Sequence, residues 1–173
     1  MIRTASSRPL RRLGLMGAVL LVAVLAVGAS ARAGRHFLWN LSPSLPRGLY
    51  LLEPGSVPRR GAIVAFQPPA PAAAEVAARR YLPARASLLK IVAAVPGDRV
   101  CLDESTFVVN GRVVGPVVRR DSAGRPLTPF EFCGPVPAGR AFVATAAPLS
   151  YDSRYFGPVA LSSLTVAVPA WTY

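Results

Sequence analysis

At 173 residues, 52% of them apolar and with a formal charge of +12, the chain is long enough for one modest domain with a core plus an appendage. A single histidine, His36, and two cysteines leave no recognisable zinc-ligand spacing and too little for a Ser/His/Asp or Cys/His centre, so no metal and no cofactor is expected. The nineteen arginines are scattered, with no aromatic-interleaved basic strip, which argues against a nucleic-acid partner.

The appendage comes first. Residues 1–12 form a basic tail with four arginines and no acid, and residues 13–31, LGLMGAVLLVAVLAVGASA, carry no charge. Nineteen helical residues at 1.5 Å each reach about 28 Å, close to the hydrocarbon thickness of a bilayer. Arginines held inside place the remainder, residues 34–173, across the cytoplasmic membrane in the periplasm. The run is longer than the apolar core of a usual secretory signal, which favours a retained single-pass anchor, although ASARA at 29–33 offers small-x-small cleavage sites. The exported part is itself basic, fourteen arginines and one lysine against eight acids, and anionic lipid headgroups are the nearest partner for that charge.

Short β-branched runs follow, at 61–66, 88–95, 107–114, 140–145 and 164–171, separated by proline and glycine, and they predict a mainly β domain. Asn110-Gly111 between valine pairs predicts a type I′ hairpin. The alanine-rich centre of 67–87, bounded by prolines, predicts a short helical excursion, and 115–139 reads as a surface crossing between strands. An oxidising compartment favours a disulfide between Cys101 and Cys133, which would bracket that crossing.

Lys90 is the only lysine in the chain. Codon bias alone could leave one by chance, but Lys90 lies in LLKIVAAV, an apolar run that predicts a buried strand. Arginine stays protonated, whereas burial can bring a lysine amine to neutrality, so Lys90 is the one tunable base available. A serine/lysine pair is the natural completion. The candidate serine is Ser44 in NLSPSLPRGLY, where Pro43 and Pro46 stiffen the backbone; serine between prolines is also ordinary turn sequence. In SYDSRYFGPV, Asp152 and Arg154 are two apart, on one face if the segment is a strand, close enough to form an ion pair.

Taken together, NLSPSLPRGLY, LLKIVAAVPGDRV and SYDSRYFGPV resemble the three ordered boxes of the signal peptidase I family of membrane-bound serine peptidases. The RGLY and DSRYFGPV wording is more similar to its conjugative-transfer, TraF-type branch. The resemblance implies a signal-peptidase-like β-fold domain with one N-terminal transmembrane helix. It implies Ser44 as nucleophile, Lys90 as general base, Ser42 as side-chain oxyanion donor, Ser150 as the hydroxyl that orients the lysine, and Asp152 with Arg154 as a supporting ion pair. Ile91 departs from the family, which often has a second basic residue there. The implied partners are an exported, pilin-like precursor, the cytoplasmic membrane and the conjugative transfer machinery, and the implied products are either hydrolysed or cyclised. A housekeeping signal peptidase and a noncatalytic anchored β scaffold are the alternatives.

Overall fold

The computed structural model describes residues 8–32, 36–83, 86–103 and 105–173, with the side chains of 15–28 in the first segment and throughout the others. Two compact units divide the chain, Met1–His36 and Phe37–Tyr173. The first contains one helix, α1 (Arg8–Arg32), whose described side chains are all exposed, among them Leu20, Leu21, Val24 and Leu25. Among the described residues no helix is long and apolar enough to cross a membrane. Residues 1–7 of the basic tail, and the side chains at both ends of the 13–31 run, lie outside the described residues.

The second unit is mainly β. Its strands are β1 (His36–Asn40), β2 (Gly48–Glu53), β3 (Ile63–Phe66), β4 (Leu88–Ala94), β5 (Arg99–Leu102), β6 (Thr106–Val109), β7 (Arg112–Pro116), β8 (Phe132–Pro135), β9 (Arg140–Ala144), β10 (Val159–Ala160) and β11 (Thr165–Thr172). Seven form one sheet in the order β1-β2-β11-β3-β4-β9-β10, and four form a second in the order β7-β6-β5-β8. The five β-branched runs all become strands, with the Asn110-Gly111 pair turning β6 into β7 at φ 49° and 77°, both positive as a type I′ turn requires. The alanine-rich segment becomes α2 (Ala70–Ala78), which buries Ala72 and Val76 against Leu127 and Tyr151.

Two expectations need correction. Residues 115–139 are not only a surface crossing, because β8 lies within them and pairs with β5, placing Cys133 directly opposite Cys101, to which it is joined in a disulfide. The loop ahead of β8 is also held to the chain just after α2: Asp121 accepts from Tyr81 Oη at 2.6 Å and from Arg79 Nη1 at 3.2 Å, and within the loop from Arg125 Nε at 2.7 Å. Asp152 and Arg154 do not share a strand. Asp152 caps the short helix α3 (Ser153–Phe156), its carboxylate accepting from the Arg154 amide, because an aspartate ahead of helical residues satisfies an otherwise orphaned donor.

The core lies on both faces of the β3–β4–β9 centre. Period-2 alternation puts Val64, Phe66, Leu88, Val92, Ala141 and Val143 in one cluster, and Ala65 and Leu89 with Tyr50 and Ala167 in another. Phe107 and Phe142, both fully buried with ring centroids 6.1 Å apart, join the second sheet to the first. The pairing of β2 with β11 depends on Gly48, which has φ 140° and lies so close to β11 that a Cβ there would meet the Trp171 carbonyl oxygen and, at 2.8 Å, the Thr172 Cα. Gly48→Ala should therefore lower stability by about 2 kcal/mol or more, through left-handed strain and the clash together, and Phe142→Ala by about 3 to 5 kcal/mol through cavity formation; urea unfolding of each variant against the parent measures both.

Candidate active site

Ser44 lies in the turn between β1 and β2, and this turn is organised by a residue that the sequence reading missed. Asn40, buried at the end of β1, donates from Nδ2 to the carbonyls of Ser42, Leu45 and Pro46 at 3.0 to 3.2 Å, while its Oδ1 accepts the Ser42 amide at 3.0 Å. Tyr50 Oη donates to the Pro46 carbonyl at 2.7 Å. One amide side chain thus closes both ends of the segment, an Asx-turn device that an asparagine two residues ahead of Ser-Pro-Ser signals in sequence. Ser42 and Ser44 are left half-buried, with their hydroxyl oxygens 2.9 Å apart. The Ser44 amide points at Ser42 Oγ at 3.4 Å.

Lys90 lies mid-way along β4, flanked by Leu88 and Val92 and paired with Val64 on β3, and is only 4% exposed. Its ammonium nitrogen donates to Ser44 Oγ at 3.2 Å, so two residues 46 apart in sequence meet. Burial dominates its titration. Desolvation lowers the pKa of Lys90 from 10.5 to about 8, opposed by the negative charge of Asp152 and assisted by the positive charge of Arg154.

Asp152 and Arg154 are fully buried and form a two-pronged pair, Arg154 Nε to Oδ1 at 2.8 Å and Nη2 to Oδ2 at 2.7 Å. The rest of the guanidinium is satisfied by backbone: Nη1 donates to the Pro116 carbonyl at 2.9 Å, and Nη2 to the Thr145 and Ala147 carbonyls at 3.1 and 3.0 Å. One side chain therefore ties the end of β7, the chain just after β9 and α3 together. Ser150 is buried in the same region, and its hydroxyl has no hydrogen-bond partner. A groove of about 410 Å³ opens beside Ser42 and Lys90, its walls including Trp39, Leu82, Pro83 and Leu88. Among the described residues no cluster of histidine, cysteine and carboxylate side chains could hold a metal ion.

Where a half-buried serine touches a desolvated amine beside an apolar groove, the neutral amine can take the hydroxyl proton without a histidine. A model of the signal peptidase, peptidase S26 family matches residues 10–171. The chain belongs to that family. It is 38% identical over 170 residues to a protein named conjugal transfer protein TraF from Agrobacterium tumefaciens (strain 15955), covering 92% of this chain and 94% of the relative. A plasmid transfer protein TraF from Escherichia coli is 32% identical, covering 87% and 90% of the two chains. A solved signal peptidase I from Enterococcus faecalis V583 aligns with 63% of this chain and 94% of its own, at 26% identity and a TM-score of 0.37. Membership of this peptidase family supports a peptidase.

The lowered pKa of Lys90 has a consequence for stability that does not depend on catalysis. Between pH 10.5 and about 8 the unfolded chain binds a proton that the folded chain does not, so stability falls as pH drops through that window and the deficit is complete below about pH 8. The deficit corresponds to roughly 3 kcal/mol. Lys90→Met should therefore be more stable than the parent at pH 7, by up to that amount, with the gap narrowing toward pH 10; urea unfolding at the two pH values checks it.

Proposed function

We propose that the protein is a membrane-anchored serine endopeptidase in which Ser44 is the nucleophile and Lys90 the general base, and that it removes leader or signal segments from exported precursors, conjugative pilin among them. The observation that carries this reading is the 3.2 Å hydrogen bond from Lys90 Nζ to Ser44 Oγ in a chain of the signal peptidase family. Neutral Lys90 takes the Ser44 proton as the oxygen attacks the scissile carbonyl, and then passes it to the leaving amine. Pro43 has no N–H, so the developing oxyanion is received by the Ser44 amide and, once it turns away from Ser44, by the Ser42 hydroxyl. Ser150 orients the amine, and the Asp152–Arg154 pair fixes the segment that carries it. Water resolves the acyl-enzyme by hydrolysis; attack by the substrate's own amino group would release a cyclic product from the same intermediate.

The conjugative setting rests on the names of the relatives, conjugal and plasmid transfer proteins. The anchor rests on the uncharged run 13–31 after four arginines and on the exposed apolar side chains described along α1. Exposed aromatic residues on and beside β1 and β11 fit an interfacial position: Trp39 and Trp171 are both more than half exposed with ring centroids 5.9 Å apart, and the Tyr173 ring lies tilted against Trp171 at 5.2 Å. Ser44 follows the end of the run by 13 residues, which keeps the nucleophile near the outer membrane surface.

Cleavage of a membrane-embedded pilin precursor by the parent, Ser44→Ala and Lys90→Arg tests the reading, with folding of each followed by circular dichroism. The parent should cut with kcat/KM rising with pH through about 8, and both folded variants should lose at least about 10⁴-fold. Cutting by Lys90→Arg at the parent rate would refute the pair, and failure of the folded parent itself to cut would leave the noncatalytic anchored scaffold standing.

A further inference from the structure

Among the described residues two buried side-chain polar atoms have no hydrogen-bond partner, Ser150 Oγ and Thr145 Oγ1. A buried hydroxyl without a partner is costly, and in a native protein such a group calls for an explanation, a catalytic role being one. The resemblance to signal peptidase I gives Ser150 a role but none to Thr145, which is 2% exposed.

The register of the sheet says where Thr145 lies. β4 and β9 run antiparallel, with Val92 opposite Val143 and Ile91 opposite Ala144. β9 ends at Ala144, and carrying the same register one residue past that end sets Thr145 opposite Lys90. The alternation of faces agrees, since Val92 and Val143 share one cluster, and Lys90 and Thr145 each lie two residues from them on that same side. The backbone of Thr145 is clamped in place, its amide donating to Asp152 Oδ2 at 3.3 Å and its carbonyl accepting from Arg154 Nη2 at 3.1 Å. Asp152 and Arg154 are also the charged groups whose fields reach Lys90.

A neutral lysine amine has two N–H bonds and one lone pair. To take a proton from Ser44 the lone pair must face Ser44 Oγ, which leaves two N–H bonds to be directed elsewhere. In the resting arrangement neither orphaned hydroxyl bonds Nζ, which instead donates to Ser44. Catalytic hydrogen bonds commonly tighten only once substrate is bound. The geometry points to Thr145 as a second positioning residue for the base: its hydroxyl and that of Ser150 accept the two N–H bonds of neutral Lys90, turning the lone pair onto Ser44. The inference rests on the assignment of Lys90 as base.

The test is Thr145→Val, which keeps the shape and removes the hydroxyl, compared with Thr145→Ser, which keeps the hydroxyl. Each is assayed in the full chain on the same pilin precursor across pH, with thermal unfolding in parallel. Thr145→Val should lose about 10- to 100-fold in kcat, part of the usual general-base contribution, with KM unchanged. Its apparent pKa should fall by about one unit, because the hydroxyl favours the charged amine more than the neutral one. Thr145→Ser should recover most of the activity, and Thr145→Val should be no less stable than the parent, since it removes an unpaired buried oxygen. Parent-like kcat and pH profile in Thr145→Val would overturn the inference, as would a Thr145→Ser variant as impaired as the valine one. Should Thr145→Val fail to fold, Thr145→Ala read against Thr145→Ser makes the same comparison. Cutting by Lys90→Arg sinks the base assignment itself, whereas an inactive Lys90→Arg beside a parent-like Thr145→Val sinks only the role of Thr145.

Discussion

An amine held out of water without a carboxylate of its own is the constraint around which this protein is arranged. Lys90 occupies a position on β4 where the neighbouring residues on its face are Leu88, Val92 and Val64. The one buried carboxylate whose charge reaches it, Asp152, has both oxygens engaged by Arg154. Were Asp152 free, it would stabilise the ammonium and hold the lysine in its ordinary charged range. Engaged by a guanidinium that itself disfavours a second positive charge, it leaves desolvation to decide, and the pKa of the amine falls to about 8. The buried ion pair therefore matters less for the stability it adds, which such pairs seldom supply, than for the counterion it withholds.

The same pair links architecture to site. Arg154 reaches backbone carbonyls at the end of β7 and just beyond β9, so the smaller sheet, the larger sheet and α3 meet at one guanidinium. Asn40 and Gly48 organise the turn that carries Ser44: the amide shapes the turn, and the missing side chain lets β2 close onto β11. The turn that carries Ser44 and the chain just after β9 are thus each held by a buried polar side chain, Asn40 and Arg154, bonded to backbone groups.

Much of this was legible in sequence because it depended on local pattern. The five β-branched runs, the Asn110-Gly111 hairpin and the alanine-rich helix each carry their signal within a few residues. The strands β1, β2, β5, β8 and β10 did not announce themselves, being short or interrupted by charge and proline, and made by pairing rather than propensity. Asp152 was misplaced for a similar reason: its two-residue spacing from Arg154 suits a strand, but an aspartate before Ser-Arg-Tyr-Phe is also a helix cap, and the cap prevailed. Within the site, the residue types reactive by themselves stood out, a lone lysine and a proline-flanked serine. Asn40 and Thr145 did not, because the hydrogen bonds of Asn40 and the role proposed for Thr145 depend on contacts that only the fold defines.

Because Lys90 is the only lysine, its amine can be observed without assignment. Protein labelled with ¹⁵N at the lysine side chain gives one Nζ resonance, and following its shift with pH measures the titration of this group directly. The account predicts a midpoint of about 8 in the folded protein, moving to the ordinary value of 10.5 when the chain is unfolded in urea. A folded-state midpoint at or above 10.5 would mean that the amine is charged wherever the protein works, and would contradict the proposed role of Lys90 as a base.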